Sequence, residues 1–230
     1  MRLFILFLAV TLALFFYSFR TQQFQEGNIF EEKNGIVAVE AEHFYEQSKS
    51  DIRKWYLIGE DFSSEMQDPD GNHTIHASGG QYLECLPDTR TTRDDKLMPG
   101  ENFSNLAGNL AILNYRVYIN NPGRYYVWVR AFSTGTDDNG IHVGIDDTWP
   151  GSGQRLQWCE GKNQWTWESK QRTENVHCGE PELIYLDIEQ PGNHDIQFSM
   201  REDGFEFDKF VLKKAYERPE GLGPKETIKN

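Results

Sequence analysis

Cysteine is scarce, with three residues in 230, and no two of them form a C-x-x-C pair. No Cys/His spacing supports zinc, and His73-x-x-His76 is a lone pair in a loop, read as incidental. Positive charge is also short. Twenty-three Lys and Arg face 36 Asp and Glu, leaving −13. That balance argues against nucleic acid or anionic membrane surfaces as partners, and suits neutral polymers or cations. GxSxG, HExxH and phosphate-loop motifs are all missing. Helical periodicity is absent from every long window after residue 34.

One long apolar run exists. LFILFLAVTLALFFYSF, residues 3–19, follows Arg2. It is long for a signal-peptide core and short for a membrane span. Both readings stay open, a cleaved signal or an N-terminal anchor tethering the chain to a membrane, and both export the body to a secreted, periplasmic or cell-surface location. About 200 residues remain, enough for one sizeable core. The expected layout is leader or anchor at 1–20, linker at 21–34, one domain at 35–216, and a polar disordered tail at 217–230 (ERPEGLGPKETIKN). Export makes a disulfide plausible. Cys159 and Cys178 would close a loop holding Trp165 and Trp167, worth about 3 kcal/mol by loop entropy. Cys85, in QYLEC, reads as a buried free thiol.

What the body does have is strands and turns. ILNYRVYI (112–119), RYYVWVRAF (124–132), IHVGID (141–146), ELIYLDI (182–188), HDIQFSM (194–200) and FEFDKFVL (205–212) are rich in β-branched and aromatic residues. NNPG, DDNG, QPGN and REDG separate them. Short strands with polar turns predict an all-β fold, an antiparallel sandwich. VYINNPGRYYVWVR and LDIEQPGNHDIQFS share a strand, Pro-Gly, strand phrase, read as two equivalent hairpins. Two long loops, 59–80 and 87–111, are dense in Asp, Asn and Gly, and long loops on a compact domain are usually functional or mobile.

GIVAVEAEHF (35–44) sets a physical puzzle. In an extended strand Val37, Val39 and Ala41 point one way, Glu40 and Glu42 the other. Two carboxylates roughly 6–7 Å apart repel by about 2–3 kcal/mol at an effective dielectric near 20. Either both face bulk water on a charged edge strand, or a cation sits between them.

The order VAVEAEHF, SGGQYL, Pro-Gly, YYVWVRAF, WTW, second Pro-Gly and DGFEFDKFVL resembles the β-sandwich carbohydrate-binding modules of families 6 and 35. It is similar also to the C-terminal sandwich of glycoside hydrolase family 115. The resemblance covers roughly residues 36–214 and implies a jelly-roll, galactose-binding-like sandwich that binds polysaccharide without catalysis. It implies a structural calcium held by Glu40, Glu42 and Asp208, which answers the puzzle, since calcium takes six to eight oxygens. It also implies a loop-end ligand site: an aromatic at Trp165 or Trp167, and a polar residue two before Asp208. That residue is Glu206, where family 6 commonly has Asn.

From the residues alone, Trp165 and Trp167 share a strand face and are equally consistent with core. Trp149, beside Pro150 and Gly151, sits in a turn where an exposed indole can stack on a sugar. Trp128 reads as core. The chain is expected to be a monomer. Two other functions stay open. One is an enzyme using Asp94-Asp95, Asp137-Asp138 and Glu206 as a carboxylate pair, or Arg90, Arg93 and Asp95 on a uronic acid. The other is an envelope sandwich that binds protein.

Overall fold

The computed structural model describes residues 27–62 and 66–229; the expected leader at 1–20 lies outside them. Among the described residues no helix is long and apolar enough to cross a membrane. The strands form two sheets. The first contains β1 (Ile29–Glu31), β3 (Glu46–Ser48), β6 (Ile112–Ile119), β8 (Gly140–Ile145), β9 (Leu156–Gln157) and β12 (Gly192–Met200). The second contains β2 (Ile36–Glu40), β4 (Lys54–Ile58), β5 (Tyr82–Leu86), β7 (Gly123–Phe132), β10 (Thr166–Glu168), β11 (Tyr185–Ile188) and β13 (Glu206–Lys213). Pairing is antiparallel apart from β1 with β6. The fold is the expected all-β sandwich.

Alternation builds the core. Leu113, Tyr115, Val117 and Ile119 of β6 face Tyr125, Val127, Val129 and Ala131 of β7 across the sheets. β13 interrupts its own alternation. Its register on β7 slips between Phe207 and Lys209, so Asp208 is an extra bulge residue. Phe207, Phe210 and Leu212 can therefore all reach the core, while Glu206, Lys209 and Val211 lie on the outer face.

The Pro-Gly phrases are not hairpins. The first leads from β6 in one sheet to β7 in the other, and the second from β11 to β12, again between sheets. Each is an arch over the sandwich edge, and the arches pair with one another: Ile119 is opposite Gly192, and Ile188 opposite Gly123. Both glycines have positive φ, 143° and 125°, which suits the residue that opens a strand after the turn.

The tail beyond residue 216 is ordered, contrary to its composition. Thr227 donates its N–H to Ala38 O and accepts from Glu31 N, and Lys229 N–H reaches Ile29 O, so the tail bridges β1 and β2. Further back, Gly223 packs on Trp167, where a Cβ would lie 2.6 Å from the indole. The domain thus runs at both ends past the expected 35–216.

One buried group gives the fold an acid limit. His142 on β8 accepts the Arg155 N–H at Nδ1 (3.0 Å), leaving Nε2–H to donate to Ser104 O (3.1 Å). Burial pushes its pKa down to about 4. Its folded value is below the unfolded value near 6.5, so its stabilising share is full above 6.5 and is lost as pH falls towards 4. Over that window the loss attributable to His142 is roughly 3 kcal/mol. Urea denaturation across pH 4–7 for wild type and His142→Asn should show the wild-type curve falling more steeply; parallel curves would refute it.

Candidate functional site

The second sheet's outer face carries the polar side chains. Glu40 stands directly opposite Lys209, and its Oε1 accepts from Lys209 Nζ at 2.7 Å and Ser78 Oγ at 2.9 Å. So part of the answer to the opening puzzle is the protein's own ammonium. The strand also ends at Glu40, and Ala41–His43 form a 3₁₀ turn; Glu42 therefore does not continue the strand face, which corrects the geometry expected for the pair. Glu42 Oε1 accepts from Gln81 Nε2 at 2.8 Å, and burial pushes its pKa up to about 7. Asp208 accepts the Ser78 N–H at 2.6 Å and the Arg130 guanidinium at 2.6 Å.

The three carboxylates thus converge on one loop, Ser78–Gln81. Glu40 and Glu42 each keep a buried Oε2 without a hydrogen-bond partner among the described residues. Asp208 does not, since both its oxygens are engaged.

Glu206 does not reach a surface groove. It is 1% exposed, and its Oε1 lies 2.7 Å from His73 Nδ1. The ring of His73 stacks on Phe132 at 3.9 Å, and its carbonyl accepts from Trp165 Nε1 at 3.0 Å. His73 therefore joins the buried carboxylate to the half-exposed indole. Trp165 rests edge-on against Tyr82 and Phe132, with the Arg130 guanidinium 5.5 Å over its ring. Trp167 is 3% exposed, in a small outer cluster with Ala38, Trp128 and Val211 under the tail. Trp149 is half-buried, packed on Gly108 and Gly144 off the end of β8. Of the expected ligand residues, only Trp165 and Trp167 meet in one groove.

That groove has a volume of about 550 Å³ and lies between Gln164–Glu168 and tail residues Arg218–Gly221, with Arg130 beside it. A second cleft, about 430 Å³, is lined by Arg90, Arg93, Arg172, Arg201, His177 and Phe103, among others. Arg90 is paired with Asp137 and Arg201 with Glu202. Among the described residues, Arg93 and Arg172 have no ion-pair partner. Burial, then Arg172, Arg93 and Arg201, pushes the His177 pKa down. The loop at 133–138 borders this cleft. Its Ser133 Oγ accepts from Lys162 Nζ at 2.6 Å, and Thr136 and Asp137 line the cleft.

Cys159 and Cys178 are joined as a disulfide with Cα atoms 5.3 Å apart, and Cys85 is a buried free thiol. The bridged loop carries Trp165, Trp167, Arg172 and His177, so one crosslink ties walls of both openings. Replacing both cysteines with Ser should cost about 3 kcal/mol in urea denaturation. An unchanged midpoint would show that the crosslink constrains nothing.

Three of the expected catalytic carboxylates are taken up by their own surroundings. Asp95 caps Thr92 (2.8 Å to its N–H), Asp137 is paired with Arg90, and Asp138 accepts from Ser133, Thr134 and Gly135. His73, read from the sequence as half of an incidental pair, instead contacts Glu206 and Trp165, and its neighbour DPDGN (68–72) signals a structured loop. Reading by motif missed Arg172 and His177, which no pattern marks.

Residues 69–226 match the glycosyl hydrolase family 115 C-terminal domain, and the chain belongs to that family. It is 60% identical over 185 residues to "Uncharacterized protein P23" of Formosa agariphila, covering 80% of this chain and 45% of the relative, so it spans under half of that protein. Similar solved structures include a family 35 carbohydrate-binding module from Clostridium thermocellum (12% identity, 78% of this chain, 98% of that one, TM-score 0.41). Another is a β-1,3-glucan-binding family 6 module from Bacillus halodurans (14%, 81%, 99%, TM-score 0.40).

Proposed function

We propose that this chain is a non-catalytic carbohydrate-binding domain that acts outside the cytoplasm. The observation that carries the reading is Trp165. Its N–H is tied to the His73 carbonyl, so the indole is held rigidly at a groove wall beside Gln164, Arg130 and Glu168. A fixed aromatic with amide and charged neighbours is the arrangement that stacks on a sugar ring and orients it. Family membership supports the same reading. Glycoside hydrolysis needs two accessible carboxylates at a set separation; of the carboxylates named for that role, Asp137, Asp138 and Glu206 are buried.

The unpaired guanidiniums of Arg93 and Arg172 in a chain of net charge −13 favour a glycan that carries acid groups. Structural calcium is part of the reading, with Glu40 and Glu42 offering their free Oε2 atoms; Asp208 would join only by releasing Arg130. The disulfide supports export.

Affinity electrophoresis tests this on a panel of neutral, uronic-acid and sulfated polysaccharides. Retardation is expected on acidic members, weakened by salt and by Arg172→Ser. Retardation on neutral members alone would remove the acidic specificity, and none at all would remove the function.

A further inference from the structure

A row of carboxylates lies deeper on the same face. Glu84 of β5 stands directly opposite Glu206 of β13, an arrangement that is repulsive when both are charged. Leu83 and Phe207 beside them point into the core, so both glutamates point outward under the 66–77 loop. Glu84 is fully buried, and neither of its oxygens has a hydrogen-bond partner. Glu206 is 1% exposed and its Oε2 is also unpartnered. Asp70 contributes a further buried, unpartnered oxygen, Oδ1. Leaving such groups without partners costs several kcal/mol per charge, and among the described residues no Lys or Arg pairs with Glu84.

One oxygen from each of Asp68, Asp70 and Glu84 lies within 4.8 Å of the others. Two oxygens bound to one calcium at about 2.4 Å are at most about 4.8 Å apart, so one ion can span the set. The donor set is all oxygen and anionic, with no sulfur, and the nearby His73 Nδ1 already faces Glu206. That chemistry selects a hard divalent ion.

We propose that Asp68, Asp70 and Glu84 form a calcium site, with Glu206 beside it, separate from Glu40 and Glu42. The ion would fasten the 66–77 loop to β5 and so fix His73, whose carbonyl anchors Trp165. Glu84→Gln keeps the length and shape of the side chain and removes the charge that faces Glu206. The variant should therefore fold.

The test is isothermal titration calorimetry of calcium into the EGTA-stripped full chain, with thermal melts. Wild type should bind calcium here and melt higher with it. Glu84→Gln should melt like wild type in EGTA but lose that binding equivalent, weakened by about 100-fold or more, since loss of an outer-sphere partner alone costs 10–100-fold. Glu40→Gln should keep it. Asp70→Asn, at a half-exposed position, gives the same readout if Glu84→Gln fails to fold. Calcium binding in Glu84→Gln or Asp70→Asn equal to wild type, or no calcium bound by wild type, would overturn the proposal.

Discussion

Asp208→Ala is expected to destabilise the domain by about 3–5 kcal/mol, the cost of leaving a buried charge without its partner. Asp208 is wholly buried, and the Arg130 side chain is 6% exposed. The bulge after Phe207 presents the carboxylate to Arg130, whose other nitrogen donates to His76 O at 3.0 Å. Burial raises the Asp208 carboxyl pKa and Arg130 opposes that shift. Removing the acid strands the guanidinium. The double variant Asp208→Ala with Arg130→Met should recover much of the loss, because the two residues form one coupled unit. The loss should be the same in EGTA as in calcium. A loss below about 1 kcal/mol would contradict the ion-pair account, and a loss that vanishes in EGTA would make Asp208 a metal ligand instead.

Strand positions were legible because alternation and turn chemistry are local. The six strong segments fall within a few residues of β6, β7, β8, β11, β12 and β13. The pairing of Cys159 with Cys178 was legible too, since they flank one loop. Pro-Gly chemistry shows that the chain turns, yet not whether it turns within a sheet or between two, so the arches passed for hairpins. The tail was misread because its order comes from backbone bonds to Glu31, Ala38 and Ile29, which composition cannot encode. Trp165 and Trp167 share a face by spacing, and only the docked tail makes one buried and the other half-open. Glu206 looked accessible for a similar reason: nothing local shows that His73 closes over it. Glu84 did leave a signal, a carboxylate within the apolar strand YLECL.

Trp165→Ala is expected to weaken glycan binding by about 30-fold or more, since a stacked aromatic at a hot spot is typically worth 2 kcal/mol or more. The indole is half-buried on the outer face, outside the core between the sheets, so its loss should leave the sandwich folded. Trp149→Phe, away from the groove, should bind like wild type. Trp167→Ala should destabilise through the cluster with Trp128 and Val211. The direct test is calorimetric titration of wild type and Trp165→Ala with an oligosaccharide of whichever polysaccharide retains the wild-type protein, each variant checked by its melting temperature. A folded Trp165→Ala protein that has lost at least about 30-fold in affinity is the predicted result. A folded Trp165→Ala protein that binds as tightly as wild type would contradict the account.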